Sequence, residues 1–119
     1  DSIKELEGTL NFLDVKDIKG IIYRIPINNI THISRKKEDR KLHIYCLDKK
    51  KIIISKTLEN IEEELLDNES IVRASKSCLV NLDNVREINK NIIVFSNEES
   101  EEASRRCLSE LTNKFKTKK

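Results

Sequence analysis

Positive side chains gather at three places along this chain, each time beside residues that could help them meet phosphate. Arg35-Lys36-Lys37-Glu38-Asp39-Arg40-Lys41 brings five cations into one stretch. Arginine offers a planar fork of donors that fits phosphate oxygens or a guanine edge, whereas lysine is a mobile point charge that mainly meets phosphate. Arg73-Ala74-Ser75-Lys76-Ser77 sets hydroxyls beside a cation, so Ser75, Lys76 and Ser77 can donate to phosphate while the backbone comes close. Ser104-Arg105-Arg106 joins a hydroxyl to two guanidiniums at the head of an expected helix, where backbone N–H groups are free. Each stretch also has a plainer reading: an exposed loop, a polar turn, and an N-cap with solvated arginines.

Other chemistries find less material. There is no phosphate-cradling G-x-x-x-x-G-K-S/T loop, no nucleophile elbow and no H-E-x-x-H helix, so neither an enzyme nor a cofactor is expected. His32 and His43 lack partners at ligand spacing and are expected on the surface of a sheet. Glu62 to Glu64 and Glu98 to Glu102 read as solvated carboxylates, and no metal site is predicted. Cys46, Cys78 and Cys107 form no C-x-x-C pair, which argues against a disulfide framework and fits a reducing cytoplasm; Cys46 and Cys78 fall in strand patterns, where burial is the usual outcome. Three Phe and two Tyr give few stacking platforms, which favours a duplex reader over a single-strand RNA reader.

At 119 residues the chain has room for one domain. Apolar and charged residues each make up 37%, and the apolar set contains 17 Ile and 5 Val against 2 Ala, a mixture that suits pleated sheets better than close-packed helices. No apolar run approaches the ~20 residues that a membrane helix needs, and no membrane association is expected. The net charge of +2 hides segregation. Residues 35–56 carry nine basic and three acidic groups, residues 59–69 six acidic and none basic, and residues 105–119 six basic against Glu110. Basic segments brought to one face would attract phosphates despite the nearly neutral total.

The elements that must hold these stretches are mostly strands. β-type runs are expected at Thr9 to Leu13, Gly20 to Ile25 (closed by Pro26), Asn29 to Ser34, Lys41 to Leu47 and Lys51 to Ser55, with a hairpin turn at Asp48 to Lys50. Leu42, Ile44 and Cys46 fall on one face of their strand, Lys41, His43 and Tyr45 on the other. Thr57 caps a helix from Leu58 to Leu66 with Leu58, Ile61 and Leu65 inward and an acidic outer face. Extended runs follow at Ile71 to Ser77, Leu79 to Leu82, Val85 to Ile88, Asn91 to Ser96 and Glu99 to Ser104, with a turn at Asn89 to Asn91. A last helix is expected from Arg105 through Phe115, its inner face Leu108, Leu111 and Phe115 and its end lysine-rich.

Ile71-Val72-Arg73-Ala74-Ser75-Lys76-Ser77-Cys78-Leu79-Val80-Asn81, followed by Val85 and Ile88, resembles the R-x-H-x-S-x-L-V-N stretch of the LytTR-type DNA-binding domain of bacterial response regulators. Asn28-Asn29-Ile30 resembles that family's D-D-I strand entry, Thr57-Leu58 to Leu65 its short helix, and Ala103-Ser104-Arg105-Arg106 its late S-R-R/K element. Ser75 stands where the family commonly has histidine, and Lys76 where many members have Asn or Arg, which changes the donor pattern toward DNA.

The resemblance implies a mostly β fold of elongated antiparallel sheets with one short central helix and a C-terminal helix. It also implies loops that enter successive major grooves of double-stranded DNA, at paired direct repeats, to control transcription. Contacts would fall on Arg35, Lys36, Lys37, Arg40 and Lys41, with Arg40 foremost, on Ser75, Lys76 and Ser77, and on Ser104, Arg105 and Arg106. It further implies a two-component system: an N-terminal receiver domain, a sensor kinase upstream, residues 1–8 as remnant of the interdomain linker and residues 9–119 as the DNA-binding domain. The chain starts at Asp1 and has no methionine, in keeping with a piece of a longer protein. The acidic run 59–69 is expected on the side distal to DNA, and residues 98–102 are expected to order a neighbouring arginine. The alternative is a β-rich protein-interaction module that ignores duplex DNA, which salt and sequence dependence of binding would separate from the first.

Overall fold

Burial alternates along outer strands such as Phe12–Lys16 and Ile71–Ser75 and is nearly continuous along the inner ones. In the computed structural model of the chain the described residues are 12–65, 68 and 70–117. β1 (Phe12–Lys16) and β2 (Ile22–Pro26) form an antiparallel hairpin that buries Leu13, Val15 and Ile25 and turns Asp14, Lys16 and Arg24 outward. Its turn is closed by the Asp17 carboxylate, which accepts the N–H groups of Lys19 and Ile21, and by Gly20 at φ +93°.

β3 (Ile30–Arg35), β4 (Leu42–Cys46), β5 (Lys51–Ile54), β6 (Ile71–Ser75) and β7 (Cys78–Asn81) make a five-stranded antiparallel sheet in the order β5-β4-β3-β7-β6. β8 (Val85–Asn89), β9 (Ile92–Phe95) and β10 (Ser100–Glu102) form a three-stranded sheet in the order β10-β9-β8.

The five-stranded sheet lies between two cores. The β1–β2 hairpin and helix α1 (Leu58–Glu64) cover one face, packing Leu58, Ile61 and Leu65 against Ile30, Ile33, Leu42, Ile44, Ile52, Ile54 and Leu79. The three-stranded sheet and helix α2 (Arg105–Thr117) cover the other, where Val72, Ala74, Cys78 and Val80 meet Ile93, Phe95, Ala103 and Leu111. β7 supplies both layers, with Leu79 in the first core and Cys78 and Val80 in the second, so no face of it meets solvent. Each large aliphatic side chain buried in this way contributes about 1.5–3 kcal/mol. Thr57 caps α1 as expected, its hydroxyl oxygen accepting the Asn60 N–H.

Several boundaries differ from expectation. β1 runs on to Lys16 and β2 starts at Ile22, because the Asp17 turn takes up Gly20 and Ile21. The run at 71–77 ends at Ser75, and Leu82 leaves the sheet for a short 3-10 turn, Leu82–Asn84. Glu99 to Ser104 contracts to β10, since Ser104 is drawn off to α2. Residues 1–8, expected as a linker, and Leu66, expected to end the first helix, lie outside the described residues. The larger correction concerns His32 and His43. Both are buried, at 1% and 7% exposure, rather than on the sheet surface. Alternation along one strand defines its two faces but does not reveal that a second layer covers one of them.

Candidate nucleic-acid interface

Strand direction places the three cationic stretches together. β3 is antiparallel to both β4 and β7, with Arg35 opposite Leu42 and Ser34 opposite Cys78, so the 36–41 loop and the 76–77 turn leave the sheet at the same end. They are joined directly: the Arg35 N–H donates to the Ser77 carbonyl at 2.8 Å. The head of α2 reaches the same end through a bond from the Ser104 N–H to the Ala74 carbonyl, also 2.8 Å.

Local bonds shape each segment. In the 36–41 loop the Lys36 N–H donates to the Lys41 carbonyl (3.0 Å) and the Arg40 N–H to the Lys36 carbonyl (2.9 Å), with Arg40 at φ 58°. Asp39 holds the turn, accepting the Lys41 N–H through Oδ1 at 3.0 Å and lying 3.0 Å from His43 Nε2 through Oδ2. The backbone N–H of Lys41, then the bond with His43, keep the Asp39 carboxyl below its ordinary range. Ser75 Oγ accepts the Ser77 N–H, and Ser104 Oγ accepts the Cys107 N–H, both at 3.3 Å, which leaves each hydroxyl proton free to donate outward.

The cations themselves are mostly unspent. Arg35, Lys37, Arg40, Lys76, Arg105 and Arg106 are exposed and Lys41 half-buried, and none of their side chains has an ion-pair partner among the described residues. Seven unpaired charges at one end repel one another in the free protein and favour a polyanion there. No group of His, Cys, Asp and Glu among the described residues could hold a metal ion.

The model of the LytTr DNA-binding domain family matches residues 20–116, a span that contains all three stretches. The chain belongs to this family. It is a family of DNA-binding domains, not of catalysts. The LytTr fold is also seen in a solved structure, the LytTr DNA-binding domain of a Bacillus cereus protein described as a methyl-accepting/DNA response regulator. The two superpose with a TM-score of 0.71 at 18% sequence identity, over 87% of this chain and 95% of that one. No curated protein sequence matches the chain at a significant level.

Within this LytTr domain two cations at the basic end are engaged, unlike their neighbours. Arg73 gives Nη1 to the Lys76 carbonyl at 2.7 Å and Nη2 to Glu62 of α1 at 2.5 Å, so it braces the 75–77 turn from behind. The acidic helix is therefore not wholly distal: Arg73 lies on the face that α1 covers, and its long fork bridges helix and turn. Lys36 Nζ lies 4.0 Å from Glu101, which also contacts His32. The acidic residues 98–102 thus order a lysine and a histidine, where an arginine was expected.

Sequence reasoning missed that Asp39 and Glu62 shape this end, and it missed the partners of two residues it had noticed: Arg73, which is engaged by Glu62 and the Lys76 carbonyl, and Glu101, which lies in the run expected to order an arginine. Asp39 had a local signal, an aspartate two positions before Lys41 in a strand connection, where its carboxylate meets that N–H. Glu62 and Glu101 had none, since their partners are distant in sequence.

Proposed function

We propose that this LytTr domain is the sequence-specific, duplex-DNA-binding output domain of a two-component response regulator that acts on transcription in the cytoplasm. The observation that carries the reading is the joining of the three cationic stretches at one end of the sheet, with seven unpaired positive side chains there. The 36–41 loop, the 75–77 turn and the head of α2 share one end of the sheet, from which they would enter a major groove, about 12 Å wide in B-DNA. Lys37, Lys41, Lys76 and the serine hydroxyls meet phosphates, while Arg35, Arg40, Arg105 and Arg106 carry the forks that read base edges. Binding at paired direct repeats, a receiver domain on the N-terminal side and a sensor kinase upstream complete the proposed setting.

Selection of bound sites from random duplex DNA tests this reading. The expected result is one enriched motif, recurring at a fixed spacing. With about six phosphate contacts, log affinity for that duplex falls with log salt at a slope near −5. Recovery of unenriched sequences, or binding indifferent to salt, would overturn the proposal in favour of a protein-interaction module.

A further inference from the structure

Lys36 opens the basic loop, yet it does not share the freedom of its neighbours. Its ammonium is 4.0 Å from Glu101 Oε2 and 5.4 Å from the centre of the Tyr45 ring. Burial disfavours its charge, but Tyr45 and Glu101 more than offset this and raise its pKa above the ordinary lysine value. The same Glu101 oxygen is 3.3 Å from Nε2 of His32.

His32 cannot yield easily. Its ring is stacked between Tyr45 at 4.3 Å and Phe95 at 4.5 Å, with Nδ1 3.0 Å from the Thr31 hydroxyl. Glu101 sits on β10, four positions before Arg105, so one carboxylate ties the first residue of the 36–41 loop to the segment that leads into α2. Burial raises the Glu101 pKa, but the hydrogen bond from His32 and the charges of His32 and Lys36 prevail and hold it below the ordinary range.

Building on the duplex-binding reading, we propose that Glu101 is a positioning residue for sequence recognition: it withholds Lys36 from the DNA backbone and fixes the spacing between the 36–41 loop and the head of α2. A loop held in place before binding loses less freedom on the correct sequence, and a lysine kept from phosphate adds no sequence-blind affinity. Base discrimination gains on both counts.

The test compares K36M, K37M, E101Q and the double variant K36M/E101Q in the full chain, on the selected duplex and on a scrambled duplex of equal length. K37M should reduce the magnitude of the salt slope by about one. K36M should leave the slope unchanged and lower the selected-to-scrambled affinity ratio several-fold. E101Q should steepen the slope by about one and raise affinity for the scrambled duplex, and this gain should vanish in K36M/E101Q. A second readout needs no DNA: trypsin should cut within residues 36–41 several-fold faster in E101Q, at a temperature where both proteins are shown by their melting curves to be folded. If K36M loses slope as K37M does, Lys36 is an ordinary phosphate contact and the proposal is overturned. A wild-type chain that ignores duplex overturns the function reading instead, and equal tryptic rates in wild type and E101Q would then overturn the tie as well.

Discussion

The two ends of the five-stranded sheet use polar side chains in opposite ways. At the basic end the loops are joined by backbone bonds, and seven of their cations are exposed or half-buried without an ion-pair partner among the described residues, while Lys36 and Arg73 are engaged. At the other end three buried asparagines close the structure inward. Asn81 donates to the carbonyls of Ile27 and Ile30 (2.9 and 3.0 Å), Asn84 to those of Asn28 and Ile30 (2.8 and 2.7 Å), and Asn97 to that of Cys46 (3.1 Å). A neutral amide satisfies carbonyls without carrying charge into the interior, so these turns are locked and have little left for a ligand. Charge left free at the first end does nothing for folding and makes sense as recognition.

Asn81→Ala should give the largest effect that separates the two ends. It removes both amide donors and the oxygen that accepts the Asp83 N–H, at a site with 0% exposure. A loss of about 3 kcal/mol in urea unfolding is expected, with duplex affinity of the folded fraction unchanged. A loss under about 1 kcal/mol, or weaker binding at full folding, would show that the ends are not separate in function.

Arg106→Ala is the converse. Arg106 is exposed and unpaired, so stability should stay within about 0.5 kcal/mol while binding to the selected duplex weakens by about 1–3 kcal/mol. If the loss is confined to the selected sequence, Arg106 reads a base; an equal loss on every duplex makes it a phosphate contact. Unchanged affinity on all of them removes Arg106 from the interface.

The contrast between the ends was legible in part. The basic stretches stood out by composition, and alternation in Leu42, Ile44 and Cys46 located one core face. Thr57 and Ser104 marked both helix starts. What could not be read is what required a partner strand. β3 has an irregular register at Ile30/His32, and that irregularity sets where His32 lies. No local pattern signals it. Glu101, 69 positions beyond His32, reaches it only because the three-stranded sheet folds back over the central one.

Acid titration measures how much of the basic end depends on the half-buried Glu101 carboxylate. The folded pKa of Glu101 is depressed, so as pH falls the unfolded chain takes up this proton first and is favoured. The stabilisation is present above the unfolded value near 4.3 and is lost as pH falls through the folded value. Thermal midpoints between about pH 3 and 6 should therefore decline less steeply in E101Q than in wild type. Parallel declines would show that the contacts with His32 and Lys36 do not stabilise the ionised form.

The finest comparison uses one turn built twice. Asp39-Arg40-Lys41 and Asp48-Lys49-Lys50 each have an aspartate Oδ1 accepting the N–H two residues on, at 3.0 and 3.1 Å, and each puts the middle cation in the left-handed region, at φ 58° and 69°. The first belongs to the 36–41 loop and the second joins β4 to β5 at the opposite end. Glycine relieves the left-handed strain at either site but loosens the unfolded chain, so Arg40→Gly and Lys49→Gly should each shift stability by about 0.5 kcal/mol or less, in the same direction. With that matched, any difference in binding belongs to the place of the lost charge. Arg40→Gly should weaken the selected duplex by about 1 kcal/mol or more, and Lys49→Gly should leave it unaltered. Equal losses in the two variants would mean that DNA senses the total charge of the domain rather than the end on which a cation stands.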